Sequence, residues 1–179
     1  MKRIILMFTL LATFLFILGI NNTVTFSAEN KINQKIAPLT PKDFGIDVFS
    51  IGEPIKESKI LDVFGDPIRL YEEDDGKCYQ YLGFYMQTSS KKGEEILSLV
   101  GITGKSVKTR RGITVDDPEI IITKKYGKPS YFNKEHKAYT YSIPVKNNKY
   151  YLGSKHFYII SFFIEEINGL ICNIDIRIE

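Results

Sequence analysis

The sequence predicts an α+β fold: two tandem helix-plus-antiparallel-meander modules, with the helices packed on one face of a curved antiparallel sheet. Three observations lead there. Arg111–Pro129, R-G-I-T-V-D-D-P-E-I-I-I-T-K-K-Y-G-K-P, reads as a short helix marked at both ends. Ile51–Pro67 can be laid on Ile113–Pro129 at a constant offset of 62 residues, pairing Ile60 with Ile122, Phe64 with Tyr126, Gly65 with Gly127 and Pro67 with Pro129. Each helical stretch is followed by strand-like runs broken by turn signals, and a repeat of this kind argues for a copied unit.

The chain of 179 residues has about the length of one domain. Lys2 and Arg3 precede the apolar run Ile4–Ile20, and Ser27-Ala28 offers small residues for cleavage. This is the layout of a secretory signal peptide over 1–28, with cleavage after Ser27 an alternative to cleavage after Ala28. The run also lies at the lower edge of what spans a bilayer, so an uncleaved anchor is the competing reading. Residues 29–40 are polar and aperiodic and read as a flexible leader. The two modules then occupy 41–109 and 110–179, together forming one globular domain.

In the second module, Asp117 is predicted as N-cap, Pro118 as the first helical residue and Gly127 as the C-terminal stop. Ile122 and Tyr126 stand four apart and share one buried face. In the first, Pro54 enters the helix and Phe64-Gly65 ends it. Predicted strands include Ile68–Glu72, Lys77–Gln87, Ile96–Ile102, Ser106–Thr109, Ala138–Val145, His156–Ile167 and Leu170–Ile178. Asn168-Gly169 is a short hairpin signal. Across a two-residue turn, Phe163 shares the core face with Ile174 and sends Tyr158, Ile160, Phe162 and Ile164 outward; a bulge near the turn swaps the two sets.

Composition excludes more than it assigns. The 24 basic and 21 acidic residues give a net charge of +3. Without Lys2 and Arg3 the balance is almost neutral, which does not favour nucleic acid. No phosphate loop, zinc spacing or nucleophile–base pattern is present in the sequence, so no catalytic residue, metal or cofactor is expected. His136 and His156 read as surface residues, and the acidic run Glu72–Asp75 reads as a solvated turn. Lys105, Lys108, Arg110 and Arg111 form a basic cluster, read as a solvated linker or as a contact for anionic wall polymer or lipid headgroups. Cys78 and Cys172 read as small buried residues or as a disulfide pair.

Tyrosines carry the one binding signal. Tyr79, Tyr81 and Tyr85 fall on one face of a predicted strand, and Tyr139 and Tyr141 repeat the Y-x-Y pattern. Tyrosine suits protein interfaces and equally suits half-buried strand positions. Together with Tyr158 and Phe162 on the outward row, Tyr79, Tyr81 and Tyr85 are the candidate binding residues.

The pattern R-G-I-x-x-D-D-P-x-x-x-I-x-x-x-Y-G-x-P, followed by strands ending in an Asn-Gly hairpin, resembles the modules of the beta-lactamase-inhibitory-protein-like superfamily and the related SmpA/OmlA lipoproteins. The resemblance implies a sheet whose free face binds a protein partner. The expected function is therefore a secreted, non-catalytic protein-binding module, inhibitor- or adaptor-like, with an unknown protein partner. The alternative is an envelope-associated structural module, touching membrane only through an uncleaved N-terminal segment. Location is extracellular or in the cell envelope on either reading.

Overall fold

The structure, a computed structural model, describes residues 36–73, 75–152 and 155–179. The predicted signal peptide and residues 29–35 of the predicted leader lie outside the described residues. Residues Ile36–Glu179 form one compact unit. Its strands are β1 (Gly45–Ile46), β2 (Phe49–Ser50), β3 (Arg69–Glu73), β4 (Gly76–Tyr81), β5 (Phe84–Lys91), β6 (Glu94–Ile102), β7 (Tyr131–Asn133), β8 (Ala138–Pro144), β9 (Phe157–Ile164) and β10 (Ile171–Ile178). The helices are α1 (Glu57–Phe64) and α2 (Ile120–Tyr126).

The chain does not form the two tandem helix-plus-meander modules expected from the sequence. The unit is built on one antiparallel sheet of eight strands in the order β3-β4-β5-β6-β10-β9-β8-β7. The helices contribute eight and seven residues. Pairing of Ile174 with Ile102 and Ile176 with Val100 carries the ladder through the middle without a break. Most of the buried apolar side chains form a single cluster running from Phe44 to Ile176. Short helices have little intrinsic stability, so the sheet and the face it buries hold this unit together.

One face of the sheet carries the core. Tyr79, Phe84, Met86, Val100, Tyr141, Ile160, Phe162, Ile174 and Ile176 are buried with Ile60 of α1 and Ile122 of α2. Full burial of Ile60 and Ile122 contributes about 1.5–3 kcal/mol apiece. The small β1–β2 hairpin supplies Ile46 and Phe49 to the same cluster.

Several local expectations change. Helix α2 starts three residues after Asp117, because the Asp117 carboxylate accepts the Thr114 N–H at 2.9 Å and closes the preceding turn instead. Pro118 bridges to Leu170. Gly127 does end the helix, at φ 80° and ψ −151°, a conformation open to glycine and costly for any side chain. The predicted strand Lys77–Gln87 is broken at Leu82-Gly83 into β4 and β5. Ser106–Thr109 is loop, not strand. The β9–β10 hairpin closes through a longer turn, in which Glu165 N–H bonds the Leu170 carbonyl at 2.8 Å. A register shift between Ile171 and Asn173 makes Cys172 an extra residue. It swaps the two rows, so Tyr158, Ile160, Phe162 and Ile164 are buried.

The predicted flexible leader is tied down near its end. The carbonyls of Ala37 and Pro38 each accept a bond of 3.0 Å from Arg111 Nη2, and Leu39 packs against the core.

Candidate interaction face

Four tyrosines fasten the helices to the sheet. Tyr81 donates its hydroxyl to the Gly65 carbonyl at 3.0 Å, and Tyr141 donates to the Gly127 carbonyl at 2.8 Å. Both bonds satisfy a carbonyl just past a helix end, where the helix itself provides no donor. At the other ends, Tyr79 donates to Glu57 Oε2 at 3.3 Å and Tyr139 donates to Glu119. Burial first, then the charges of Glu95 and Glu57, push the Tyr79 hydroxyl far above its ordinary range. The bond to Glu119, with burial behind it, pushes Tyr139 up to about 12.

The predicted binding residues therefore divide. Tyr79, Tyr81, Tyr158 and Phe162 are buried on the helix side of the sheet. Tyr158 accepts a bond from Asn148 Nδ2 at 3.1 Å, and Phe162 meets Tyr126 edge-on at 5.0 Å. None of these four rings is presented to a partner. Tyr85 is separated from Tyr79 and Tyr81 by the Leu82-Gly83 turn, and lies on the opposite face.

Among the described residues, that opposite face bears no helix. Across its centre, consecutive strands align Arg69, Gln80, Tyr85, Gly101, Asp175, Ser161, Thr140 and Tyr131. A parallel row aligns Tyr71, Cys78, Gln87, Leu99, Arg177, Ile159 and Ser142. The Tyr85 ring lies over Gly101, where a Cβ would come within 2.2 Å of a ring carbon. Only glycine leaves that space for the ring as it lies.

Beside Tyr85 sits a charged group. Arg177 bonds Asp175, and its Nε donates to Glu179 Oε1 at 2.6 Å. Burial pushes the Asp175 carboxyl above its ordinary value, outweighing the pull of Arg177. The Tyr85 hydroxyl is pushed up by burial, then by the charge of Asp175. Thr140 Oγ1 and Ser161 Oγ share a bond of 3.1 Å. The face thus combines aromatic and aliphatic area with polar groups of both charge signs.

Other predicted features lie elsewhere. No disulfide joins Cys78 in β4 to Cys172 in β10. Strands β5 and β6 lie between them, and three strand spacings make roughly 14 Å, beyond the reach of a bridge. His136 is exposed in the β7–β8 turn, and His156 meets the Tyr151 ring edge-on at 5.2 Å. Among the described residues, no three His, Cys, Asp or Glu side chains are grouped to hold a metal ion.

Arg111 has a part that the sequence reading missed. It is not in the solvated cluster but turned inward, with Nε bonded to Asp43 Oδ1 at 2.9 Å and Nη1 to the Lys125 carbonyl at 2.8 Å. Its guanidinium lies 5.2 Å from the centre of the Tyr126 ring. Asp43 stands 68 residues away. No local pattern signals so distant a pair.

In overall fold the chain is similar to an extracellular protein containing an SCP domain from Bacillus anthracis str. Ames, at 11% identity and a TM-score of 0.45, over 79% of this chain and 50% of that one. It is similar also to a cysteine-rich secretory protein from Staphylococcus aureus subsp. aureus Mu50, at 15% identity and a TM-score of 0.44, over 71% of this chain and 44% of that one. The chain spans half or less of the length of these proteins, and neither likeness assigns a function. No family model matches the chain, and no curated protein matches it.

Proposed function

We propose that this is an exported, non-catalytic protein-binding module that works through the helix-free face of its sheet. The observation that carries the reading is that face itself. Eight strands present two aligned rows in which Tyr85, Leu99, Ile159 and Tyr131 are interleaved with Asp175, Arg177, Thr140 and Gln87. Apolar and aromatic area set among charged and hydroxyl groups is the composition of a protein-recognition surface. The resemblance to the beta-lactamase-inhibitory-protein-like superfamily supports the same use of the sheet. Export rests on Lys2, Arg3 and the apolar run that follows.

The binding residues on this reading are Tyr85, Ile159, Arg177 and Tyr131, in place of the buried Tyr79, Tyr81, Tyr158 and Phe162. The test is capture from the surface and extracellular fraction of the source cells, with immobilised residues 36–179 as bait. Ile159→Arg and Tyr131→Ala are expected to release a partner that Lys134→Glu, in the β7–β8 turn, retains. Capture that is indifferent to both face substitutions, with all baits melting alike, overturns the reading.

A further inference from the structure

The remainder of the basic cluster stays outside once Arg111 has turned in. Lys105, Lys108 and Arg110 line an open groove of about 560 Å³, with Asp47, Phe64, Ser106, Val107 and Thr109 as its other walls. Three cations face one carboxylate there. Lys105 is paired with Asp116 at 2.9 Å. Lys108 and Arg110 are exposed, and neither forms an ion pair among the described residues. Each is therefore available to an anion from outside.

A second feature stands at the same corner. The β4–β5 turn is fastened to the loop carrying these cations. Ser106 Oγ donates to the Leu82 carbonyl at 2.7 Å, and Thr103 N–H donates to the Gly83 carbonyl at 2.8 Å. The turn thereby holds the Leu82 side chain outward, 81% exposed. Val48, adjacent to the groove residue Asp47, is also exposed. A soluble anion uses the cations and gains nothing from bare Leu82. A bilayer surface uses both, since its phosphates meet lysine and arginine while an apolar tip enters the acyl boundary.

We propose that this corner docks on an anionic lipid surface, with Lys108 and Arg110 on headgroup phosphates and Leu82 as the inserted tip. Lys105 adds to the local potential beside its pairing with Asp116. None of these residues belongs to the rows of the helix-free face, so a protein partner and a lipid surface can be engaged together. The contact is electrostatic first and shallow, so it weakens with added salt.

The experiment uses residues 36–179, which contain the entire described core and form one compact unit. This removes the N-terminal apolar run, which would bind lipid by itself. The protein is sedimented with vesicles of phosphatidylglycerol mixed with phosphatidylcholine, and with phosphatidylcholine alone. Binding to the anionic vesicles only, falling as salt rises, is the expected result. Lys108→Ala with Arg110→Ala is expected to weaken it about thirtyfold, and Leu82→Ala roughly fivefold. All three positions are exposed, and thermal melts confirm that the variants fold. Equal binding to neutral vesicles, no binding to anionic ones, or full binding by the double variant overturns the proposal. Saturable binding of glycerol phosphate in free solution without vesicle binding also overturns it, in favour of a soluble ligand.

Discussion

Helices α1 and α2 are fastened to the sheet by the same two bonds but differ in how they are closed off. Each has a tyrosine hydroxyl on a glycine carbonyl past its last turn and another on a glutamate at its start. Around α1 the end residue Phe64 joins an aromatic group, at 5.5 Å from Phe49, 5.7 Å from Tyr81 and 4.9 Å from Phe84. Around α2 the end residue Tyr126 meets Tyr141 and Phe162, and Arg111 then covers it and ties the helix to Asp43 and to the incoming chain. The cation over the α1 aromatic group, Lys59, lies 5.7 Å from the Phe49 ring centre and is exposed. Helix α1 is thus seated by packing, its tyrosine bonds and a more exposed ion pair of Glu57 with Lys77 at 2.6 Å, and α2 by packing and tyrosine bonds locked under a half-buried charge pair.

Removing that lock is the strongest way to break the contrast. Arg111→Ala leaves the Asp43 carboxylate, 18% exposed, without its counter-ion and frees the Lys125, Ala37 and Pro38 carbonyls. Breaking a fully buried pair from one side costs about 3–5 kcal/mol and an exposed one about 0–1 kcal/mol; this half-buried pair falls between the two. The expected outcome is an intermediate loss in urea unfolding, about 1–3 kcal/mol, and a loss below 1 kcal/mol would mean the pair is solvated.

Acid sharpens the same contrast with a smaller effect, because the packing of Arg111 on Tyr126 survives protonation of its partner. Burial pushes the Asp43 carboxyl up, but bonds from Arg111 and Thr40 more than offset it and hold it below its ordinary 3.8. A lowered carboxyl contributes stability that is complete above the unfolded value and lost as pH falls through the folded one. Stability is therefore expected to drop as pH falls below 3.8, and less steeply in Arg111→Ala. Parallel acid limbs in denaturant melts of the two proteins would remove Asp43 from the account.

The tyrosine bonds come next. Tyr141→Phe and Tyr81→Phe each delete one hydroxyl and leave a carbonyl unsatisfied. A net loss of about 1 kcal/mol is expected for each, larger at Tyr141, which is 1% exposed against 8% for Tyr81. Equal melting of Tyr141→Phe and wild type would show that water replaces the bond. Tyr85→Phe, on the other face, is expected to leave stability nearly unchanged, which separates fastening tyrosines from presented ones.

How much of this was legible follows the range of each interaction. The end of α2 was legible, because Gly127, Pro129 and the Ile122–Tyr126 spacing act within a few residues. Its start was not, since the Asp117 carboxylate accepts from Thr114 in the turn before it rather than from the helix after it. The Y-x-Y pattern correctly places Tyr79 with Tyr81 and Tyr139 with Tyr141. Whether such a row faces helix or solvent depends on which face the helices take, and tyrosine suits both. The bulge at Cys172 turns a whole row over through one unpaired residue, which alternation alone does not reveal. The helix-free face was least legible, because its centre is the β6–β10 pairing between residues more than seventy positions apart, as in Ile102 with Ile174.

The smallest expected loss tests whether α1 also depends on a cation over its aromatic group. Lys59 approaches Phe49 as Arg111 approaches Tyr126, so the two contacts look alike if only distance is counted. Their surroundings differ: Lys59 is exposed, while Arg111 is 14% exposed and spends its donors on protein acceptors. An exposed cation over a ring is worth about 0.5–1 kcal/mol at most, and part of that returns as side-chain freedom. Lys59→Ala is therefore expected to shift the urea midpoint by no more than about 0.5 kcal/mol equivalent. A loss near that of Arg111→Ala would mean that both helices are locked by charge and that the contrast drawn between them is wrong.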